Sequence, residues 1–158
     1  MASCACGSRT ARRRSTSPFR DDGVLSRVEP QCEAASELII VGSDLPNRIE
    51  CVTSQPVQIT GGGGNDTIVA GGGPLTIDGG AGNDLIDASQ NTSGATLSGG
   101  DGNDTLLGGS AADNLFGGNG NDRLVGNAGN DTMDGGAGSD TMIGGAGTDV
   151  VDYTKRSA

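Results

Sequence analysis

Gly61-Gly62-Gly63-Gly64-Asn65-Asp66-Thr67-Ile68-Val69 and Gly79-Gly80-Ala81-Gly82-Asn83-Asp84-Leu85-Ile86-Asp87 obey one pattern, G-G-x-G-x-D-x-U-x, with U a large aliphatic residue. Working outward from them, the chain falls into ten consecutive nine-residue units that begin at 61, 70, 79, 90, 99, 108, 117, 126, 135 and 144. The units at 61, 79, 99, 117, 135 and 144 fit the pattern completely, and the one break in phase is read as a two-residue insertion, Ala88-Ser89. The eighth position reads Ile68, Ile77, Ile86, Leu97, Leu106, Leu115, Leu124, Met133, Met142 and Val151, aliphatic in all ten units. A fixed short period of this kind predicts a solenoid.

Each unit divides into a six-residue turn and a three-residue strand. Alternate side chains of a strand point to opposite faces, so in x-U-x only U points inward. The turn needs glycine for positive φ and for close approach to the backbone. The Asn before the Asp (Asn65, Asn83, Asn103, Asn121, Asn130) is read as a residue that tolerates the left-handed region. Two turns and two strands make an 18-residue coil. Stacked coils pair their strands in parallel at about 4.8 Å, which places each Asp over the Asp two units away. The expected fold is all-β, a parallel β-roll (β-solenoid) of about five coils over 61–152. A disordered segment 1–35 and irregular capping coils at 36–60 precede it, with Ile59 already at a U position, and a short tail follows at 153–158.

Composition narrows the function. Of 158 residues 30 are Gly and three are aromatic, so a conventional globular core is out of reach. The net charge of −10 argues against a nucleic-acid partner. Residues 61–152 hold thirteen Asp against the single Arg123, while residues 1–60 balance seven acids with seven Arg. The absence of His removes the common Ser-His and Cys-His nucleophile pairs. No run of 18 apolar residues is present, so no membrane span is expected, and the Arg-rich start reads as neither a Sec nor a twin-arginine signal. Cys4, Cys6, Cys32 and Cys51 leave three disulfide connectivities open, with Cys32 and Cys51 the best-separated pair.

Two aliphatic residues per coil are a thin core for eighteen ordered residues, and a column of stacked carboxylates repels itself. A cation between the turns is therefore expected. Residues 61–152 carry no His and no Cys, only Asp, Asn and backbone carbonyls, a donor set for a hard ion. Flexible carbonyls with carboxylates suit Ca²⁺ better than Mg²⁺. An EF-hand is excluded because its loop ends in a bidentate Glu, and no Glu follows Glu50.

With its six complete tandem copies, the stretch 61–152 resembles the RTX (repeats-in-toxin) family, named for haemolysins and found also in secreted proteases, lipases and epimerases. The resemblance implies a β-roll in which each Ca²⁺ is held between one turn and the turn two units on, by Asp carboxylates and glycine-turn carbonyls. Carried onto this sequence, the carboxylates are Asp66, Asp84, Asp104, Asp122 and Asp140 on one edge and Asp113, Asp131 and Asp149 on the other. The carbonyls are those of Gly62, Gly64, Gly80, Gly82, Gly100, Gly102, Gly118, Gly120, Gly136, Gly138, Gly145 and Gly147. It also implies export from a bacterium, an extracellular location and folding triggered by calcium outside the cell. It implies nothing about catalysis and names no protein or surface partner. A member of the family would continue into a further module or export signal, so the tail at 153–158 reads as truncated.

Sorting the units by edge exposes an asymmetry. Every degenerate copy falls on the second edge, where Leu75 and Ala95 stand at the Asp position. Four calcium sites are therefore expected on the first edge (66/84, 84/104, 104/122, 122/140) and two on the second (113/131, 131/149). About six ions would carry a charge equal and opposite to the −12 of 61–152. Competing readings are weaker. A regular Asp column offers no unique glycosidase-like pair. The sequons at Asn65, Asn103 and Asn130 are by-products of the repeat, no phosphate-loop pattern occurs, and the position-seven threonines (Thr67, Thr105, Thr132, Thr141) form an interrupted row for an ice-binding face. Calcium binding without catalysis is the expected function. The alternatives are a non-catalytic remnant of a secreted enzyme or toxin, or a structural or adhesion module of the matrix or cell surface.

Overall fold

The computed structural model describes residues 37–153 together with Arg14–Ser15, so the rest of the segment 1–35 expected to be disordered lies outside the described residues. All fourteen described elements are β-strands. β1 (Arg14–Ser15), β2 (Leu38–Ser43), β4 (Val57–Gly63), β6 (Leu75–Ala81), β8 (Ala95–Asp101), β10 (Asn114–Asn119), β12 (Thr132–Ala137) and β14 (Val150–Asp152) form one parallel sheet in that order. β3 (Arg48–Thr53), β5 (Thr67–Gly72), β7 (Leu85–Asp87), β9 (Thr105–Leu107), β11 (Arg123–Ala128) and β13 (Thr141–Ala146) form the other. The chain alternates between the sheets, one strand of each per coil, which is a parallel β-roll of about six turns.

The register is the one the repeat dictates. Ile59 pairs with Ile77 and Ile77 with Leu97 in the first sheet, Ile68 with Ile86 and Ile86 with Leu106 in the second. The two U columns face each other and fill the interior, with Leu97, Leu106, Leu115, Leu124 and Met133 wholly inaccessible to solvent. Met142 and Val151 in the last described coil are only partly buried, because no further coil covers them among the described residues. Ile40 and Ile49 extend the columns upstream, so the strands at 38–53 stack in register with the rest and the turns exceed the expected five.

Two expectations are corrected, and the weaker reading of a threonine face loses ground. Most strands run six or seven residues rather than three, because the Gly-Gly pair that opens the next turn stays in the ladder, as in Gly62 opposite Gly80. The insertion is not Ala88-Ser89. Asp87 is in register with Val69, so Ala88 is buried at the position of Ala70, and the two extra residues are taken up inside the turn before Ala95. The threonines do not share one face, since Thr67, Thr105 and Thr141 lie in the second sheet and Thr132 in the first.

Candidate metal centre

The turns that join the sheets supply the chemistry. On one edge they are 61–66, 79–84, 99–104, 117–122 and 135–140, and on the other 70–75, 88–95, 108–113, 126–131 and 144–149. All twelve glycines at the second and fourth positions of the complete copies have φ between 84° and 140°. A Cβ at Gly80 or Gly82 would also collide with the carbonyl oxygen of Gly62 or Gly64 in the preceding coil. Handedness and closeness thus demand glycine twice over at these positions. Asn127, at the second position of its copy, is the one described non-glycine residue with positive φ, at 72°.

The aspartates stand in two columns. On the first edge the Asp66 N–H donates to Asp84 Oδ1 (2.7 Å), that of Asp84 to Asp104 (2.8 Å), that of Asp104 to Asp122 (2.8 Å) and that of Asp122 to Asp140 (3.0 Å). On the second edge the N–H groups of Ala95, Asp113 and Asp131 donate to Asp113, Asp131 and Asp149 in the same way. Oδ1 of each Asp thus faces the coil before it. The other oxygen faces the coil after it, beside the first glycine of its own turn. At Gly61 a Cβ would collide with Asp66 Oδ2 and lie 2.5 Å from the Gly79 carbonyl oxygen, and the same pairing recurs at Gly79, Gly99, Gly108, Gly117 and Gly126. These oxygen-lined spaces exist because a hydrogen stands where a side chain would fill them.

The Oδ2 atoms of Asp66, Asp84, Asp104, Asp122, Asp131 and Asp140 are buried and accept no hydrogen bond. A carboxylate oxygen removed from water without a donor carries a large penalty. Burial accordingly pushes the Asp66 carboxyl up to about 6, against the Asn47 N–H that favours its charge and with the Asp84 charge that disfavours it. Asp104 is held at about 6, chiefly by burial. Asp84, Asp113, Asp122 and Asp131 are raised for the same first cause. Among the described residues no three acidic, His or Cys side chains converge, so any ion must draw on carbonyls as well as on the one or two carboxylates of a gap. An all-oxygen set of this kind fits Ca²⁺.

Several contributors lie outside the ligand set expected from the sequence. The first glycines, Gly61, Gly79, Gly99, Gly117, Gly126, Gly135 and Gly144, frame the spare oxygens. Asn47 heads the first Asp column, its N–H donating to Asp66 Oδ1 at 2.6 Å, and Gly42-Ser43 five residues before it is the available trace of a degenerate copy. The Asn before each Asp does not adopt positive φ as expected. Its Oδ1 accepts the N–H of its counterpart in the next coil, from Asn65 to Asn83, Asn103, Asn121 and Ser139, and likewise from Asn130 to Thr148. That ladder leans forward where the Asp ladder leans back. Cys51 is a buried free thiol facing the core, pushed up to about 11 by burial, while Cys32 lies outside the described residues.

A two-sheet parallel roll whose turns repeat Gly, Asn and Asp around buried, unanswered carboxylate oxygens is a calcium-type β-roll. The RTX calcium-binding nonapeptide repeat family, in its four-copy form, matches residues 60–91, 91–124 and 116–151, well over half the chain. The chain belongs to that family. Comparison with curated proteins and comparison with solved structures each returned no match.

Proposed function

We propose that the roll binds calcium between successive turns of each edge and folds on doing so. Asp66, Asp84, Asp104, Asp122 and Asp140 supply the carboxylates of the first edge, and Asp131 and Asp149 those at the C-terminal end of the second. The carbonyls of the positive-φ glycines complete the oxygen set, from Gly62 and Gly64 through Gly145 and Gly147. The observation that carries this reading is the row of buried Oδ2 atoms without donors, five of them beside the first-glycine carbonyl of the next coil. Calcium, when bound, supplies the positive charge that these oxygens lack. An interior Asp borders two gaps, one with each oxygen, so it ties a coil to both neighbours.

No site exists in the unfolded chain, so binding free energy becomes folding free energy. A chain of this kind stays unfolded where calcium is scarce and folds outside the cell, where it is abundant. The columns hold no unique acid–base pair, which favours a structural rather than a catalytic role. The division into an N-terminal segment 1–35, capping coils 36–60, the roll 61–152 and a tail 153–158 belongs to the same reading. The test is far-UV circular dichroism of the full chain during a calcium titration, with Mg²⁺ as control. A coil-to-β transition with calcium alone is expected, and a spectrum indifferent to calcium sinks the proposal.

A further inference from the structure

The acidic turn 108–113 is built differently from the other acidic turns. Its second residue, Gly109, is not in the positive-φ region, and its fourth is Ala111 where the complete copies have a left-handed glycine. With that backbone the Gly109 N–H turns inward and donates to Asp113 Oδ2 at 2.6 Å, so Asp113 lacks the unanswered oxygen of its neighbours. The same closure occurs in the turn of Asn47, where the Ser43 N–H donates to Asn47 Oδ1 at 2.8 Å. There the position holds a neutral amide, so the closure works without any cation.

The gap below the turn is filled as well. Asn127 reaches back and donates its Nδ2 to the Gly108 carbonyl at 2.7 Å, and the Ala128 N–H donates to the Gly109 carbonyl at 3.2 Å. Asp131 Oδ1, on the far side, accepts the Asp113 N–H at 2.9 Å. Both carboxylate oxygens of the gap between turns 108–113 and 126–131, and the carbonyls of Gly108 and Gly109 beside it, accept a protein N–H already. By contrast, Asp131 Oδ2 faces the next gap without a donor, beside the Gly144 carbonyl.

Resting on the calcium reading above, we infer that the 113/131 gap is closed to cations by the Asn127 amide and the Gly109 N–H, and that the roll binds five ions. Four lie on the first edge and one in the 131/149 gap. Asn91 has a comparable role in the preceding coil. Wholly buried, it accepts the Gly72 N–H at its Oδ1 (3.1 Å) and donates its Nδ2 to the Ser93 carbonyl (2.6 Å), so a side-chain amide joins turns 70–75 and 88–95 of the second edge.

Native mass spectrometry of the full chain at saturating calcium should count five ions. Asp113→Ala borders no filled gap and should retain five, whereas Asp131→Ala borders one and should retain four. A sixth ion in the unaltered chain, or an ion lost with Asp113→Ala, or two lost with Asp131→Ala, overturns the inference and leaves the calcium reading standing. Four ions or fewer in the unaltered chain also overturns it, and a chain that takes up none removes the reading on which it rests.

Discussion

A single methyl group tests the turn. Gly80 has φ 107°, and its absent Cβ is where the Gly62 carbonyl oxygen sits. Gly80→Ala combines a disfavoured backbone region, about 1–3 kcal/mol, with a collision against backbone that cannot swing away. Its neighbour Ala81 is exposed, and the complete copies carry Gly, Ala, Asp or Asn at that third position. Gly80→Ala should therefore raise the calcium midpoint of folding by well over tenfold, while Ala81→Gly should shift it by less than threefold, both read by circular dichroism. Equal shifts would show that glycine is there for flexibility alone. At this scale much was legible: the inward U side chains and the left-handed glycines follow from a two-residue strand period and the missing Cβ. The role of the Asn before each Asp was not, because tolerance of the left-handed region is a property of one residue. The bond it makes instead joins residues 18 apart, such as Asn65 and Asn83.

Between elements the question is what one coil owes its neighbours. Asp104 receives the Asp84 N–H on one oxygen and presents the other toward Gly117, whereas Asp66 has the neutral Asn47 above it. Asp104→Ala should thus cost two calcium ions and Asp66→Ala one, measured as stoichiometry by titration calorimetry. Equal losses would mean that an Asp serves one gap only. The stacking itself was readable from the period, since a nine-residue unit repeated on alternate edges fixes which residues meet. The strand lengths were not, because a Gly-Gly pair carries turn signals in isolation yet joins the ladder when another Gly-Gly lies beside it. Nor was the site of the insertion, since Ala88 resembles a spacer until Asp87 is seen in register with Val69. Turn 108–113 shows the limit most clearly. Its Asp is retained, and only the backbone at Gly109 and Ala111 and the reach of Asn127 tell that the oxygen is answered.

Over the whole molecule, protons and calcium compete for one set of oxygens, and the sign of each effect follows from burial. Asp66 and Asp104 are held at about 6 in the ion-free roll, above the unfolded value of about 4. A carboxyl whose pKa is higher folded than unfolded stabilises the fold below the unfolded value, and that contribution disappears as pH rises through about 6. Acid should therefore favour the ion-free roll, the reverse of ordinary acid denaturation by paired carboxylates. Calcium requires the ionised form, so a preformed ion-free roll would expel protons on binding near pH 6, whereas a chain that folds only on binding starts from carboxyls that titrate at about 4 and should expel protons only near that pH. Calorimetry in two buffers of different ionisation enthalpy reads this directly. For a chain that folds on binding, the apparent heats should agree at pH 6 and diverge at about pH 4, where the carboxyls of the unfolded chain take up protons. Heats that depend on the buffer at pH 6 would mean that calcium meets an ion-free roll with buried, partly protonated carboxyls, and folding on binding would be overturned.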